Sequence, residues 1–390
     1  MAFAALALIG AGCHRRQGRA RLTTPIGIVT TLSGPRAQIG RAHERGYAIA
    51  IEEINANGGA LGKPVELDTY DDQGKADVAA QGVDKLVGTD GMPVVIGSAS
   101  DDDTLALVTA TTRKQVPLVV PTATGDAIVE QGSSWVFRLC AGNVDYANAL
   151  VEVFKTNGNP STLALVYEAS DVGRSQSASM KNVALVRGMS VVAEVPYVAG
   201  TPSYRPMLLE LQRKQPAVVF FVSDLSDAVK MMRDSREIYF QAPYFASADT
   251  GFGTFEFPTP AGAGADAEFA LVASQWSPKG KWPGLEEFRE TFRAKYGTHP
   301  GLESLEAYVA LKVVVAAIER AQKLDPEAIR DALKALRMNT AFGPISFGPN
   351  GQNRHPVVVR QVQGGKDTPV WPPDLATGTA LQMAPWTDRQ

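Results

Sequence analysis

Cysteine is nearly missing from this chain: Cys13 and Cys140 are the only two in 390 residues. Neither has a partner at metal-ligand spacing, so the sequence predicts no structural zinc site. An excess of basic residues is missing too. The formal net charge is −3 and the isoelectric point is near 5.9, whereas a nucleic-acid binder would carry a basic stripe. Histidine is sparse and scattered, at His14, His43, His299 and His355. His43-Glu44 lacks the second histidine of a zinc-hydrolase helix, and neither a G-x-S-x-G elbow nor a P-loop occurs. Asp71-Asp72 follows an apolar run and reads as a structural cap. After the leader, no stretch reaches the roughly 18 apolar residues of a membrane span. We therefore expect no enzyme, no cofactor, no metal and no nucleic-acid partner.

What is present is an ordinary globular composition, 45% hydrophobic and 20% charged, long enough for two domains. The first 12 residues are almost wholly apolar, and Cys13 follows Gly10-Ala11-Gly12 directly. This resembles a lipoprotein signal peptide with Cys13 as the lipidated residue and Arg15, Arg16, Arg19 and Arg21 as a tether near anionic headgroups. A buried strand over 4–9 is the plain alternative. A dinucleotide fingerprint in LIGAG fails, because Arg15 stands where the third glycine should be.

The organising stretch is PVVIGSASDDDT, residues 93–104. An apolar run stops at Gly97, small polar residues follow, and then acids that can cap a helix. That is a buried strand, a tight turn and a helix N-terminus, the place where an open α/β sheet binds ligands. PLVVPTATGDA, residues 117–127, repeats the logic, and both loops are expected to line one pocket. Around them strands alternate with helices. Apolar runs at 26–31, 65–72, 135–140, 162–168, 189–197, 217–223, 244–248 and 271–276 read as strands. Helical patterns fall between them, and the first, 40–57, puts Ala48, Ile51 and Ile54 on one face. A Gly/Ala/Pro/Phe-rich stretch, 250–267, is too long for a plain connection and is a candidate functional loop. Three helices, two short β segments and a Pro-rich tail complete the chain. The fold class is α/β, with parallel sheets covered on both faces.

In order, IGIVTTLSGPRAQIG, AIEEINANGGALGKPVEL, YDD, VVIGSAS, PLVVPTAT, WVFR and TAFGPISFGPNGQ resemble the periplasmic leucine/isoleucine/valine-binding proteins. Those are type I solute-binding proteins of ABC transporters. The resemblance spans 24–366. It implies two Rossmann-like lobes joined by three crossover strands, with a ligand cleft between them. One lobe would comprise 24–141 plus 277–340, the other 142–276 plus 341–366. Residues 1–23 would be leader and tether, and 367–390 a surface tail. The implied partners are a small polar solute such as an amino acid, an ABC permease in the inner membrane, and the membrane itself through Cys13. A ligand-sensing receptor or regulator of the same fold is the other function class.

The resemblance places Ala99, Ser100 and Asp101 at the ligand carboxylate, with Asp101 on the usual serine position. Thr122 and Thr124 fall on the second loop's contacts, and Asp249 on the acid that receives the ligand ammonium. Ile39, Val172 and Asp224 occupy positions where tyrosines usually close over the ligand. Gly74 and Ser100 replace the family's short disulfide, leaving Cys140 as a lone thiol near a crossover. Three readings of the acids stay open. Asp101, Asp224 and Asp249 could form an acidic cleft suited to an amine-bearing guest, or Asp101–Asp103 could be capping acids in solvent, or a one-residue slip in the correspondence could put Ser100 rather than Asp101 at the carboxylate.

Overall fold

Two parallel sheets account for most of the backbone, and short runs of β-branched residues build both. The structure is a computed structural model that describes residues 22–34, 36–275 and 281–389. Cys13 and the proposed leader lie outside the described residues. The first half alternates β1 (Thr24–Thr30), α1 (Ala37–Ala56), β2 (Val65–Asp71), α2 (Ala76–Val83), β3 (Val95–Ile96), α3 (Asp101–Lys114), β4 (Leu118–Val120), α4 (Ala127–Glu130) and β5 (Val136–Arg138). The second continues with α5 (Asn143–Thr156), β6 (Thr162–Glu168), α6 (Asp171–Val186), β7 (Ser190–Tyr197), α7 (Arg205–Lys214), β8 (Val218–Val222), α8 (Leu225–Glu237), β9 (Tyr244–Ser247) and β10 (Leu271–Ser274). Then come α9 (Leu285–Tyr296), α10 (Leu302–Ala321), α11 (Pro326–Lys334), β11 (Met338–Thr340), β12 (Gly343–Ile345), β13 (Val358–Gln363) and β14 (Lys366–Trp371).

The first sheet has order β2-β1-β3-β4-β5, all parallel. The second has order β14-β13-β10-β9-β8-β6-β7, parallel except for its β13 and β14 edge. Central strands such as β1, β3 and β8 are buried along their whole length, so they read as unbroken apolar runs rather than alternating ones. Gly97, just past β3, has φ +157°, and a Cβ there would lie 2.2 Å from the Val29 carbonyl oxygen. Only glycine lets the two strand ends approach so closely.

The chain passes between the sheets at 139–142, again after Ser274, and finally at 346–357. Helices α1, α9, α10 and α11 cover one face of the first sheet, and α2 and α3 pack on the other. The buried stripe of α1 runs through His43, Tyr47, Ala50 and Ile54, a slightly different face from the one through Ala48 and Ile51. The second sheet is covered by α5 and α6 on one side, and by α7, α8 and the 250–267 loop on the other. Phe252 stacks on Phe257 at 4.5 Å and on Phe221 at 5.3 Å, which fixes that loop in the core.

Two expectations are corrected. Ala341, Phe342, Ile345 and Phe347 belong to the core of the first lobe, so the final passage to the second lobe comes after residue 347 rather than at 341. The segment 367–390 is not a surface tail. Lys366–Trp371 is the edge strand β14, and Met383 and Trp386 are buried in the second lobe. The Trp386 indole N–H donates to the Phe240 carbonyl at 2.6 Å.

Candidate functional site

The loops after β3 and β4 meet at the hydrogen bond between Asp101 and Gly125, but neither lines the interlobe cavity described below, so the one pocket expected of both is not that cavity. Ser100 caps α3: its hydroxyl accepts from the Asp103 N–H at 3.3 Å and donates to the Asp103 carboxylate at 2.5 Å. Asp101 is therefore not a capping acid in solvent. Its carboxylate is buried and accepts from the Gly125 N–H at 2.9 Å, while its other oxygen has no partner. Gly125 must lack a side chain here, because a Cβ would lie 2.7 Å from that second oxygen. Burial pushes the Asp101 carboxyl above its usual range. Asp72 braces the same corner, accepting from Thr31 at 2.7 Å, from the Gly74 N–H at 2.9 Å and from the Ser98 hydroxyl. Thr122 bonds His43 at 2.8 Å, and the other ring nitrogen of His43 bonds Thr30 at 3.0 Å. Burial lowers the His43 pKa to about 4 and keeps the ring neutral.

The crossovers are tied to each other and to both lobes. Arg138 donates to Gln352 at 2.6 Å and to the Gly125 carbonyl at 2.6 Å. Gln275 joins three elements. Its side-chain oxygen accepts from the Ala141 N–H at 2.6 Å, its amide donates to Glu306 at 2.8 Å, and its backbone N–H donates to Asp249 at 2.9 Å. Glu306 is 1% exposed, with one carboxylate oxygen unpartnered, and burial raises its pKa well above normal. The lobes also touch away from the crossovers. Arg36 pairs with Asp171, the Ser179 hydroxyl donates to Asp126 at 2.6 Å, and the Asn143 N–H donates to the Thr124 carbonyl at 2.9 Å.

A cavity of about 450 Å³ opens between the lobes. Asp249 and residues 253–256 wall it on one side, and α9 with the start of α10 on the other. The size suits a small molecule. Asp249 is held by the Gln275 N–H and by the Tyr146 hydroxyl at 3.4 Å. Burial is the dominant influence on this carboxyl, and it titrates near 6. Across the rim, the rings of Phe255 and His299 lie 5.5 Å apart.

Residues 23–367 match the family model described as "Periplasmic binding protein". The chain belongs to that family. A curated relative, Leu/Ile/Val-binding protein homolog 7 of Brucella abortus (strain 2308), is 28% identical over 378 residues, covering 92% of this chain and 93% of its own. Among solved structures, the leucine binding protein LivK from Thermotoga maritima MSB8 superposes with a TM-score of 0.76 at 24% identity, covering 90% of this chain and 99% of its own. A solute binding protein of an ABC transporter from Rhodopseudomonas palustris BisB5, in complex with 3,4-dihydroxy benzoic acid, superposes with a TM-score of 0.77 at 18% identity, covering 93% and 98%. These likenesses establish the type I periplasmic binding protein architecture of two α/β lobes.

Within this periplasmic binding protein, the residues singled out from sequence separate into groups. Asp249 lines the interlobe cavity. Ala99, Ser100, Asp101, Thr122 and Thr124 cluster on the two first-lobe loops. Asp224 is an exposed N-cap of α8, accepting from the Asp227 N–H at 2.8 Å, and its backbone carbonyl packs against Gly251, two residues from Asp249. Val172 packs against the second-lobe core beside the Arg36–Asp171 pair, and Ile39 is half-buried in the first turn of α1. Cys140 is a buried free thiol at the first crossover, donating to the Ala123 carbonyl at 3.2 Å. Sequence reasoning missed Gln275, Glu303 and Glu306. The signal for the two acids was present: they interrupt α10, whose other residues are largely apolar.

Proposed function

We propose that this chain is the extracytoplasmic solute-binding component of an ABC importer, capturing a small polar molecule between its lobes and presenting it to a membrane permease. The observation that carries the reading is the cavity walled by both lobes, with the desolvated carboxylate of Asp249 in its lining. A guest that touches both walls binds the closed arrangement better than the open one, and that difference alone can drive closure. The Leu/Ile/Val-binding name of the Brucella relative and the transporter titles of the structural neighbours support the same reading. Asp249 would receive the positive end of the guest. No covalent chemistry is involved. Anchoring through a lipid on Cys13 is part of this proposal.

The test is a thermal-shift screen of the purified chain against amino acids, amines, amides and aromatic carboxylates, followed by small-angle scattering. A true ligand raises the melting temperature and holds the lobes in the compact arrangement. If no class of solute shifts the melt, the importer reading fails.

A further inference from the structure

The two lobes contribute unequal charge to the cavity between them. Four carboxylates line it, Asp249, Glu256, Glu286 and Glu303, against the two guanidinium groups of Arg289 and Arg293. Both arginines are tied to Glu286, at 3.3 and 3.8 Å. Glu286 balances one of these two charges, and the cavity lining as a whole keeps a net excess of two carboxylates. Asp249 and Glu303 have no such answer: among the described residues neither forms an ion pair. Arg360, the cation whose charge bears on Asp249, is itself paired with Asp367 at 2.6 Å. Burial disfavours the ionised form of both acids. One turn from Glu303 on α10, Glu306 is a further buried acid whose ionised form burial disfavours.

We infer that the guest of this cavity is a small dibasic molecule, two amine or guanidine groups joined by an alkyl chain, with one end on Asp249 of the second lobe and the other on Glu303 of the first. The inference rests on the solute-capture reading above and narrows it. A cation at each acid lets both ionise and form charge-assisted hydrogen bonds. Because the acids sit on opposite lobes, a molecule that satisfies both is bound fully only when the lobes are together. Phe255 and His299, facing each other across the rim, offer aromatic faces to the connecting chain or to a cationic end. An aliphatic amino acid would answer Asp249 and leave Glu303 desolvated without a partner. A simple carboxylate would answer neither.

Calorimetry on the full chain decides between these cases, using lysine, arginine, agmatine and putrescine against leucine, glutamate, benzoate and butylamine. At least one dibasic probe should bind tenfold or more tighter than leucine or benzoate. Glu303→Gln should weaken that probe about tenfold while changing butylamine affinity less than threefold, and Glu303→Asp should restore part of the loss. Asp249→Asn should weaken both probes. Thermal melts of each variant show that it is folded. Leucine or benzoate binding tighter than every dibasic probe overturns the inference and leaves solute capture standing. A dibasic probe indifferent to Glu303→Gln overturns it as well. Silence from the whole panel overturns both readings.

Discussion

Replacing Asp249 with Asn separates the cost of holding this carboxylate from its use. Asn keeps an oxygen to accept from the Gln275 N–H and the Tyr146 hydroxyl, so the local geometry survives. What disappears is a charge that burial disfavours. An ordinary aspartate titrates near 3.9, and Asp249 titrates at about 6. Between those values the folded chain holds a proton that the unfolded chain has lost. Stability therefore falls as pH rises through this window, and the loss is complete above it. About two pH units at 1.36 kcal/mol each amount to about 3 kcal/mol. In urea titrations near pH 4, Asp249→Asn should match the wild type closely. Near pH 8 it should be more stable by about 2 to 3 kcal/mol, while losing affinity for an amine by about one to two orders of magnitude. A gap between the two proteins that does not change with pH, or a wild type that is the more stable near pH 8, refutes the argument.

Other outcomes follow from single contacts. Gln275→Leu strands the Ala141 N–H and the Glu306 carboxylate in buried surroundings, and should cost about 2 to 4 kcal/mol in the urea midpoint analysis; a loss below about 1 kcal/mol would show that the link is slack. Cys140 is fully buried with its thiol pKa raised by desolvation, so a colourimetric thiol reagent should react only after urea is added, and prompt labelling of the native chain contradicts its placement. Trp386→Ala should cost about 3 to 5 kcal/mol, the range for deleting a large buried side chain, because the indole is 8% exposed; unchanged melting would return residues 367–390 to the status of a tail.

The alternation of strands and helices was readable because each central strand is a run of Val, Ile, Leu or Phe buried on both faces, bounded by turns. Strand β14 was not readable. KDTPVW is polar and carries a proline, and only the edge position beside β13 makes it a strand. Met383 and Trp386 give too little local pattern to betray a buried segment. In the site, Asp249 was found through resemblance, and the pairing of the two first-lobe loops through their small polar residues. The state of Asp101 was not accessible, because it depends on a glycine N–H 24 positions away in sequence. Gln275 was less accessible still: its partner Ala141 is 134 positions distant, and a glutamine at a strand end carries no local signal of three-way bonding.

The order of the crossovers has a consequence for synthesis. Helices α9, α10 and α11 close the core of the first sheet, yet they are translated after every parallel strand of the second. The second sheet in turn lacks its β13–β14 edge until residue 371. A ribosome that stalls anywhere before α11 leaves two unfinished hydrophobic interiors rather than one complete half. Folding of this chain is a late event, and premature products should be destroyed by proteases instead of persisting as working fragments.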